Sequence, residues 1–249
     1  MWRRNLQIAL FPAADGDNSF RQLDRITPIE GDVKARCTEF KKQNKKQRGD
    51  YQQGQGNLFQ PYFKLGNIAA DFARLNTAPD GTLAEVAALQ DCYSRLVRSS
   101  EYESTRLLAD TWCAAFVWKK DDSELGKLCP TERDFRKVES HAAAGLLPHV
   151  REEVELLRDK YQFFHWHLAF PDVFRLPGKD ETPENEQTGW SGGFDVVLGN
   201  PPWVRQEMLK PIKQLLPKFT SYASTADSSV YFIELSVLTC RVLGRVAML

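Results

Sequence analysis

F-D-V-V-L-G-N-P-P-W, residues Phe194 to Trp203, is the stretch on which the fold turns. Phe194, Val196, Val197 and Leu198 surround a single Asp195, with Ser191-Gly192-Gly193 upstream and Gly199 downstream. A short apolar, β-branched run between turn residues predicts a buried strand of a parallel sheet. It ends in Asn200-Pro201-Pro202-Trp203. In open α/β sheets, ligands bind where the chain leaves the carboxyl end of a strand, so a site is expected at this tetrapeptide.

The chemistry of the tetrapeptide narrows the task. Two consecutive prolines fix φ and remove two N–H donors, and they hold the preceding residue out of the helical region. The result is a stiff loop that presents carbonyl oxygens, one carboxamide and an aromatic ring. An exocyclic amino group on a nucleobase needs such partners. The Asn200 side-chain oxygen and the Pro201 carbonyl can each accept one of its N–H groups. Those bonds favour a tetrahedral, nucleophilic nitrogen over a flat, conjugated one. Trp203 can stack on a base that has left the duplex. A bare Asn-Pro-Pro is often only a turn; the strand before it and the aromatic after it distinguish this one.

The segment resembles the Asn-Pro-Pro-aromatic motif of N6-adenine-specific DNA methyltransferases. Trp203-Val204-Arg205-Gln206-Glu207 continues it as in the large methylases of fused restriction-modification enzymes and phage-exclusion systems. Upstream, the run from Phe164 through His165-Trp166-His167 to Phe174 is similar to the segment those proteins carry before the motif strand. Downstream, Asp227 followed by Val230-Tyr231-Phe232-Ile233-Glu234 is similar to their next helix. The resemblance is good from about Tyr161 to Leu249 and much weaker before. It implies S-adenosylmethionine as cofactor and double-stranded DNA with a flipped adenine as partner. It also implies catalytic roles for Asn200, Pro201, Pro202 and Trp203. Arg205, Lys210 and Lys213 are placed to meet the DNA strand flanking the flipped base.

The cofactor-binding residues are not identified. Such enzymes use a Gly-rich strand-loop whose backbone approaches the cofactor, a closeness that glycine permits. Ala14-Asp15-Gly16-Asp17 lacks a clear strand, Gly54-Gln55-Gly56-Asn57 sits in a polar Gln-rich stretch, and Phe63-Lys64-Leu65-Gly66-Asn67 holds one glycine before a helical pattern. Toward the other end, Tyr231 to Leu243 reads as an apolar helix with Gly244-Arg245 as its stop. Val246 to Leu249 reads as the start of another strand. The expectation is a piece of a longer methylase, with the missing remainder as a possible partner.

Composition bounds the rest. The 249 residues are 42% hydrophobic and 27% charged, an ordinary soluble mixture. No apolar run approaches the roughly 20 residues that cross a bilayer, and no secretory signal is evident; a cytoplasmic protein with no membrane partner is expected. Cys37, Cys92, Cys113, Cys129 and Cys240 form no C-x-x-C pair and are odd in number, which argues against a zinc site or a disulfide scaffold. His165 and His167 would share a face on a strand, but further ligands are lacking, so no metal is expected. Net charge is zero, so the whole chain lacks the basic footprint usual in DNA binders. The dense basic stretch Lys34, Arg36, Lys41, Lys42, Lys45, Lys46 and Arg48 reads as a solvated helix face or a phosphate contact.

The fold class expected is α/β. An incomplete Rossmann-like methyltransferase sheet occupies residues 161–249 and carries the motif. A mainly helical insertion or spacer occupies residues 1–160. A strand is expected at Leu6 to Phe11. Helices are expected at Gly31 to Arg48, Leu83 to Arg98 (capped by Thr82 or Asp80), Glu101 to Lys119, Asp134 to His141 and Pro148 to Tyr161. The helix pair at 83–119 reads as a hairpin whose Trp and Phe residues are core. Gly49 to Gln60 and Arg175 to Gly189 read as solvated loops. Other readings stay open: a catalytically incomplete fragment that binds only DNA or a partner, a nuclease using Glu39-Phe40-Lys41, or methylation of cytosine N4, RNA or protein.

Overall fold

The structure, a computed structural model, describes residues 23, 26–50, 65–175, 182–185, 188, 190–212, 216 and 219–249. The strand expected at Leu6 to Phe11 lies outside them, as do residues 51–60 of the expected Gln-rich loop.

Among the described residues, six α-helices of ten or more residues precede the motif region. These are α1 (Lys34–Asp50), α2 (Leu65–Thr77), α3 (Leu83–Val97), α4 (Ser100–Val117), α5 (Glu132–His141) and α6 (Pro148–Tyr161). Local signals set their ends. Thr82 caps α3 in a capping box with Glu85, satisfying two orphan N–H groups reciprocally. Ser99 caps α4. Pro148 opens α6, where its missing N–H costs nothing.

The core forms around α4. Trp112 and Phe116, four apart on one face, pack with Trp118, Phe135, Val138 and the α6 stripe Val150, Val154 and Leu157. The Trp112 and Phe135 rings meet edge-on at 5.1 Å. Each fully buried aliphatic contributes about 1.5–3 kcal/mol, so the α6 stripe alone outweighs the helix propensities. Trp112 and Phe116 of α4 are core, as expected of the helix's Trp and Phe residues.

Two polar clamps tie α1 to this core. Asn44, 2% exposed, donates to the Leu23 carbonyl at 3.0 Å and accepts the Glu132 N–H at 2.8 Å. The Asp32 carboxylate accepts the Lys120 N–H at 2.7 Å and the Ile29 N–H at 3.0 Å. Lys120 donates through Nζ to the Trp118 carbonyl at 2.8 Å, with its side chain fully buried.

The helix expected at Leu83 to Arg98 forms, as α3, without burying its apolar residues. The apolar residues of α3 are not core: Leu83 is 91% exposed and Val86 47%. The helix forms on its caps and on contact with α2, where Tyr93 meets Phe72 edge-on at 6.0 Å.

The α7 turn (Trp166–Ala169) leads into β1 (Phe174–Arg175), which pairs antiparallel with β2 (Ser191–Gly192). Gly192 and Gly193 make the turn that follows, at φ +92° and +133°. A Cβ on Gly193 would lie 2.6 Å from the Arg241 nitrogen, so only glycine fits. The expected surface loop before β2 is partly outside the described residues. Its end folds inward: Thr188 is buried and Asn185 donates to the Leu238 carbonyl at 3.4 Å.

The motif strand is β3 (Phe194–Gly199). A 3-10 turn (Gln206–Ile212) and α8 (Ser228–Thr239) follow, then β4 (Cys240–Met248), which runs parallel to β3. This is a β-α-β unit with α8 packed on both strands. It corrects two expectations. The helix ends at Thr239, and Cys240 to Leu243 belong to β4. Gly244 does not stop a helix. It lies in a bulge: from Phe194↔Cys240 to Val196↔Arg245, β3 advances two residues while β4 advances five. Leu243 takes φ +66° there, and a Cβ on Gly244 would meet Cys240 Sγ at 2.4 Å. Nor is β3 buried. Val196 is 52% exposed and Leu198 75%, because α8 packs on one face and no described residue covers the other. The described residues show mixed helix and small sheets, each of two strands.

Candidate active site

Asn200 leaves the carboxyl end of β3, where the sequence places a site. The adjoining end of β4 steadies this point, since the Leu249 N–H donates to the Gly199 carbonyl at 2.9 Å. Asn200 is exposed and Pro201 buried. Among the described residues, neither the Asn200 side chain nor the Pro201 carbonyl has a hydrogen-bond partner. Trp203 is 72% exposed, its ring open to solvent. Among the described residues, the loop thus holds two acceptors without partners and one exposed aromatic face.

The first turn of α8 holds the loop in place. The Ser228 hydroxyl donates to the Pro202 carbonyl and accepts the Val204 N–H at 2.9 Å. The Ser228 N–H donates to the Val204 carbonyl at 3.0 Å, and Asp227 accepts the Gln206 N–H at 3.3 Å. Further along α8, Glu234 accepts the N–H groups of Thr220 and Ser221 at 2.8 and 2.7 Å. A small apolar cluster of Leu209, Leu216 and Tyr231, with Val204 and Phe219 against it, fills the space between. Burial pushes the Tyr231 hydroxyl above its ordinary pKa. Sequence reading did not single out Ser228. A serine in a first turn is a common cap, and nothing local points across 26 residues to Pro202.

Of the expected DNA-facing residues, Arg205 is exposed beside the motif. Lys210 lies in the 3-10 turn Gln206–Ile212. Lys213 lies outside the described residues. The basic stretch is α1, which exposes Lys34, Lys42, Lys45 and Lys46 while burying Cys37, Phe40 and Asn44. Glu39 and Lys41 lie two apart on this helix, so they do not face each other, and Glu39 pairs with Arg36 at 2.7 Å. That geometry does not assemble a Glu-x-Lys nuclease site.

The two histidines are buried at the start of α7 rather than on a strand. His165 Nε2 lies 2.7 Å from Asp110 Oδ1. His167 stacks on Trp190 at 5.0 Å. Between them, Trp166 joins Phe170, Phe174 and Phe194 in an aromatic cluster at the start of the motif strand, 5.7 Å from Phe194. Among the described residues no group of three or more His, Cys, Asp or Glu could hold a metal.

A cradle for the methionine part of S-adenosylmethionine needs glycines whose missing Cβ leaves room for a ligand. The glycines of β3 and β4 do not provide it. The Cβ positions of Gly199 and Gly244 are taken by Met248 Sδ at 2.8 Å and Cys240 Sγ at 2.4 Å. Residues 14–17 and 54–57 lie outside the described residues, and Gly66 and Asn67 fall in the first turn of α2. The glycines of β3 and β4 are thus not that cradle. Nor is any described helix long and apolar enough to cross a membrane.

With this geometry in place, comparison with known proteins adds one finding. A model of the Eco57I restriction-modification methylase family matches residues 83–249. The match spans β3, the motif loop and α8, and reaches back through the helices to the start of α3. No curated protein and no solved structure matches the chain.

Proposed function

The chain belongs to the Eco57I restriction-modification methylase family, and from that premise we propose that it serves methylation of adenine N6 in DNA, with S-adenosylmethionine as donor. The setting is a restriction-modification or phage-defence system. The observation that carries this reading is Asn200-Pro201-Pro202-Trp203 at the carboxyl end of a parallel strand, with two acceptors and an exposed ring. The β3–α8–β4 unit is read as part of a Rossmann-like sheet. Residues 161–249 are taken as catalytic and the preceding helices as a spacer.

The residues act by positioning. The Asn200 side-chain oxygen and the Pro201 carbonyl accept the two N–H groups of the adenine amino nitrogen. This draws its lone pair out of conjugation with the ring and aims it as a nucleophile. Pro201 and Pro202 fix φ, so the acceptors are set before the base arrives. Trp203 stacks on the extruded base and offsets the cost of leaving the duplex. Arg205, with Lys210 and Lys213, meets the flanking phosphates. S-adenosylmethionine, when bound, would supply the methyl group directly: the N–C bond would form as the sulfonium C–S bond breaks, S-adenosylhomocysteine would leave, and the amino nitrogen would release one proton to water, so no covalent enzyme intermediate is needed.

The test is methylation of unmodified DNA, with hydrolysed nucleosides identified by mass spectrometry. N6-methyladenine is expected, and Asn200→Ala should lower its formation by about 100- to 1,000-fold, the scale of losing one preorganised polar group. N4-methylcytosine as the sole product, or an Asn200→Ala rate equal to that of the parent, overturns the reading. A second reading is that the chain by itself binds DNA or a partner without methylating. It is favoured by the absence of a cofactor cradle at the glycines of β3 and β4 and by the open face at Val196 and Leu198. Calorimetry with S-adenosylmethionine separates the two.

A further inference from the structure

Prolines fix φ but leave ψ free. The pose of the motif loop therefore depends on what holds its carbonyl groups. Pro202 is the last point of that freedom before Trp203, and its carbonyl is taken by the Ser228 hydroxyl. The Ser228 hydroxyl oxygen in turn accepts the Val204 N–H at 2.9 Å, and the Ser228 N–H returns a bond to the Val204 carbonyl at 3.0 Å. With Asp227 on the Gln206 N–H, two consecutive residues bind Pro202, Val204 and Gln206. Alternate residues of an extended chain face opposite ways. Val204 is half-buried toward α8, while Trp203 and Arg205 are exposed. Ser228 itself is 2% exposed, so water does not readily replace its hydroxyl.

We propose that Ser228 is a positioning residue for methyl transfer. By occupying the Pro202 carbonyl, it leaves Asn200 and the Pro201 carbonyl as the acceptors that meet the target nitrogen. By clamping Val204 on both sides, it sets the direction in which Trp203 presents its ring. This rests on the methylation reading above, because the residue acts only through Asn200, Pro201 and Trp203.

The test compares S228A with S229A, a neighbour in the same turn that is equally buried, and with S228T, which restores a hydroxyl. Two readouts are taken: methylation kinetics on unmodified DNA, and amide exchange at Val204 and Gln206. S228A is expected to lower kcat by about tenfold or more while KM for DNA stays within about twofold, the pattern of an interaction realised in the transition state. Val204 exchange should quicken by about tenfold, the scale of one lost hydrogen bond. S229A should change neither, and S228T should recover kcat. An S228A enzyme with parental kcat, or one altered only in KM, overturns the proposal. If the parent chain methylates no DNA, the methylation reading falls by itself and exchange alone judges the latch. Unchanged Val204 protection in S228A then refutes it, and quickened exchange in S228A but not S229A upholds it.

Discussion

Removing the His165 imidazole should cost far more than its single hydrogen bond suggests. His165 and Asp110 are 7% and 2% exposed, with Nε2 and Oδ1 2.7 Å apart. A net contribution of about 1.5–3 kcal/mol is usual for a hydrogen bond to a charged group. Truncation to alanine also strands the Asp110 carboxylate in a site closed to water, and losing one partner of a buried pair costs about 3–5 kcal/mol. His165→Ala should therefore destabilise by about 3–4 kcal/mol, and Asp110→Ala by about 3. Because the partner's penalty disappears once both are gone, the double variant should cost about 2 kcal/mol less than the sum. Urea unfolding followed by tryptophan fluorescence measures all four corners of the cycle. The pair lies between α4 and the aromatic cluster at Phe194, so the cycle also gauges how firmly the helices are coupled to the motif strand. A coupling energy below about 0.5 kcal/mol, the scatter of independent sites, refutes the argument.

Two further outcomes follow from burial. Cys92 is exposed and should react first with a disulfide reagent at pH near 8, because thiolates are the reactive form. Burial pushes Cys129 up to about 12 and, with the Asp32 carboxylate, Cys37 up to about 11, so both should label only on unfolding; early label on Cys129 in a peptide map contradicts this. Burial likewise raises the Glu132 carboxyl, an effect that Arg136 at 3.2 Å partly offsets. The folded state then holds its proton more tightly than the unfolded chain. Stability from this group is greatest at low pH and falls as pH rises from the ordinary carboxylate value through the raised one. Glu132→Gln should remove that fall, and urea midpoints across the same window that stay parallel to the parent's would contradict it.

The sequence by itself determined the elements whose signals are local. The Thr82–Glu85 box, Ser99 and Pro148 lie within a turn of the ends they set, and α6 runs from Pro148 to Tyr161 as its pattern predicts. The apolar run from Phe194 to Gly199 is a strand, and the motif follows its end. Tertiary structure decided what depends on partners distant in the chain. Apolar residues lie on both sides of the junction (Val237 and Leu238, then Val242 and Leu243), with only Thr239 and Arg241 as polar interruptions, so composition cannot say where α8 ends and β4 begins. Pairing with β3 settles it, since Cys240 lies opposite Phe194. Exposure followed the same logic: Leu83 and Leu198 are open although their patterns predict burial, because burial requires a facing element and periodicity describes only one side. The bonds from Ser228 to the motif loop and from Asn44 to Leu23 and Glu132 join residues with no common local pattern. Their polar side chains show a purpose only once the chain has brought their partners within hydrogen-bonding distance.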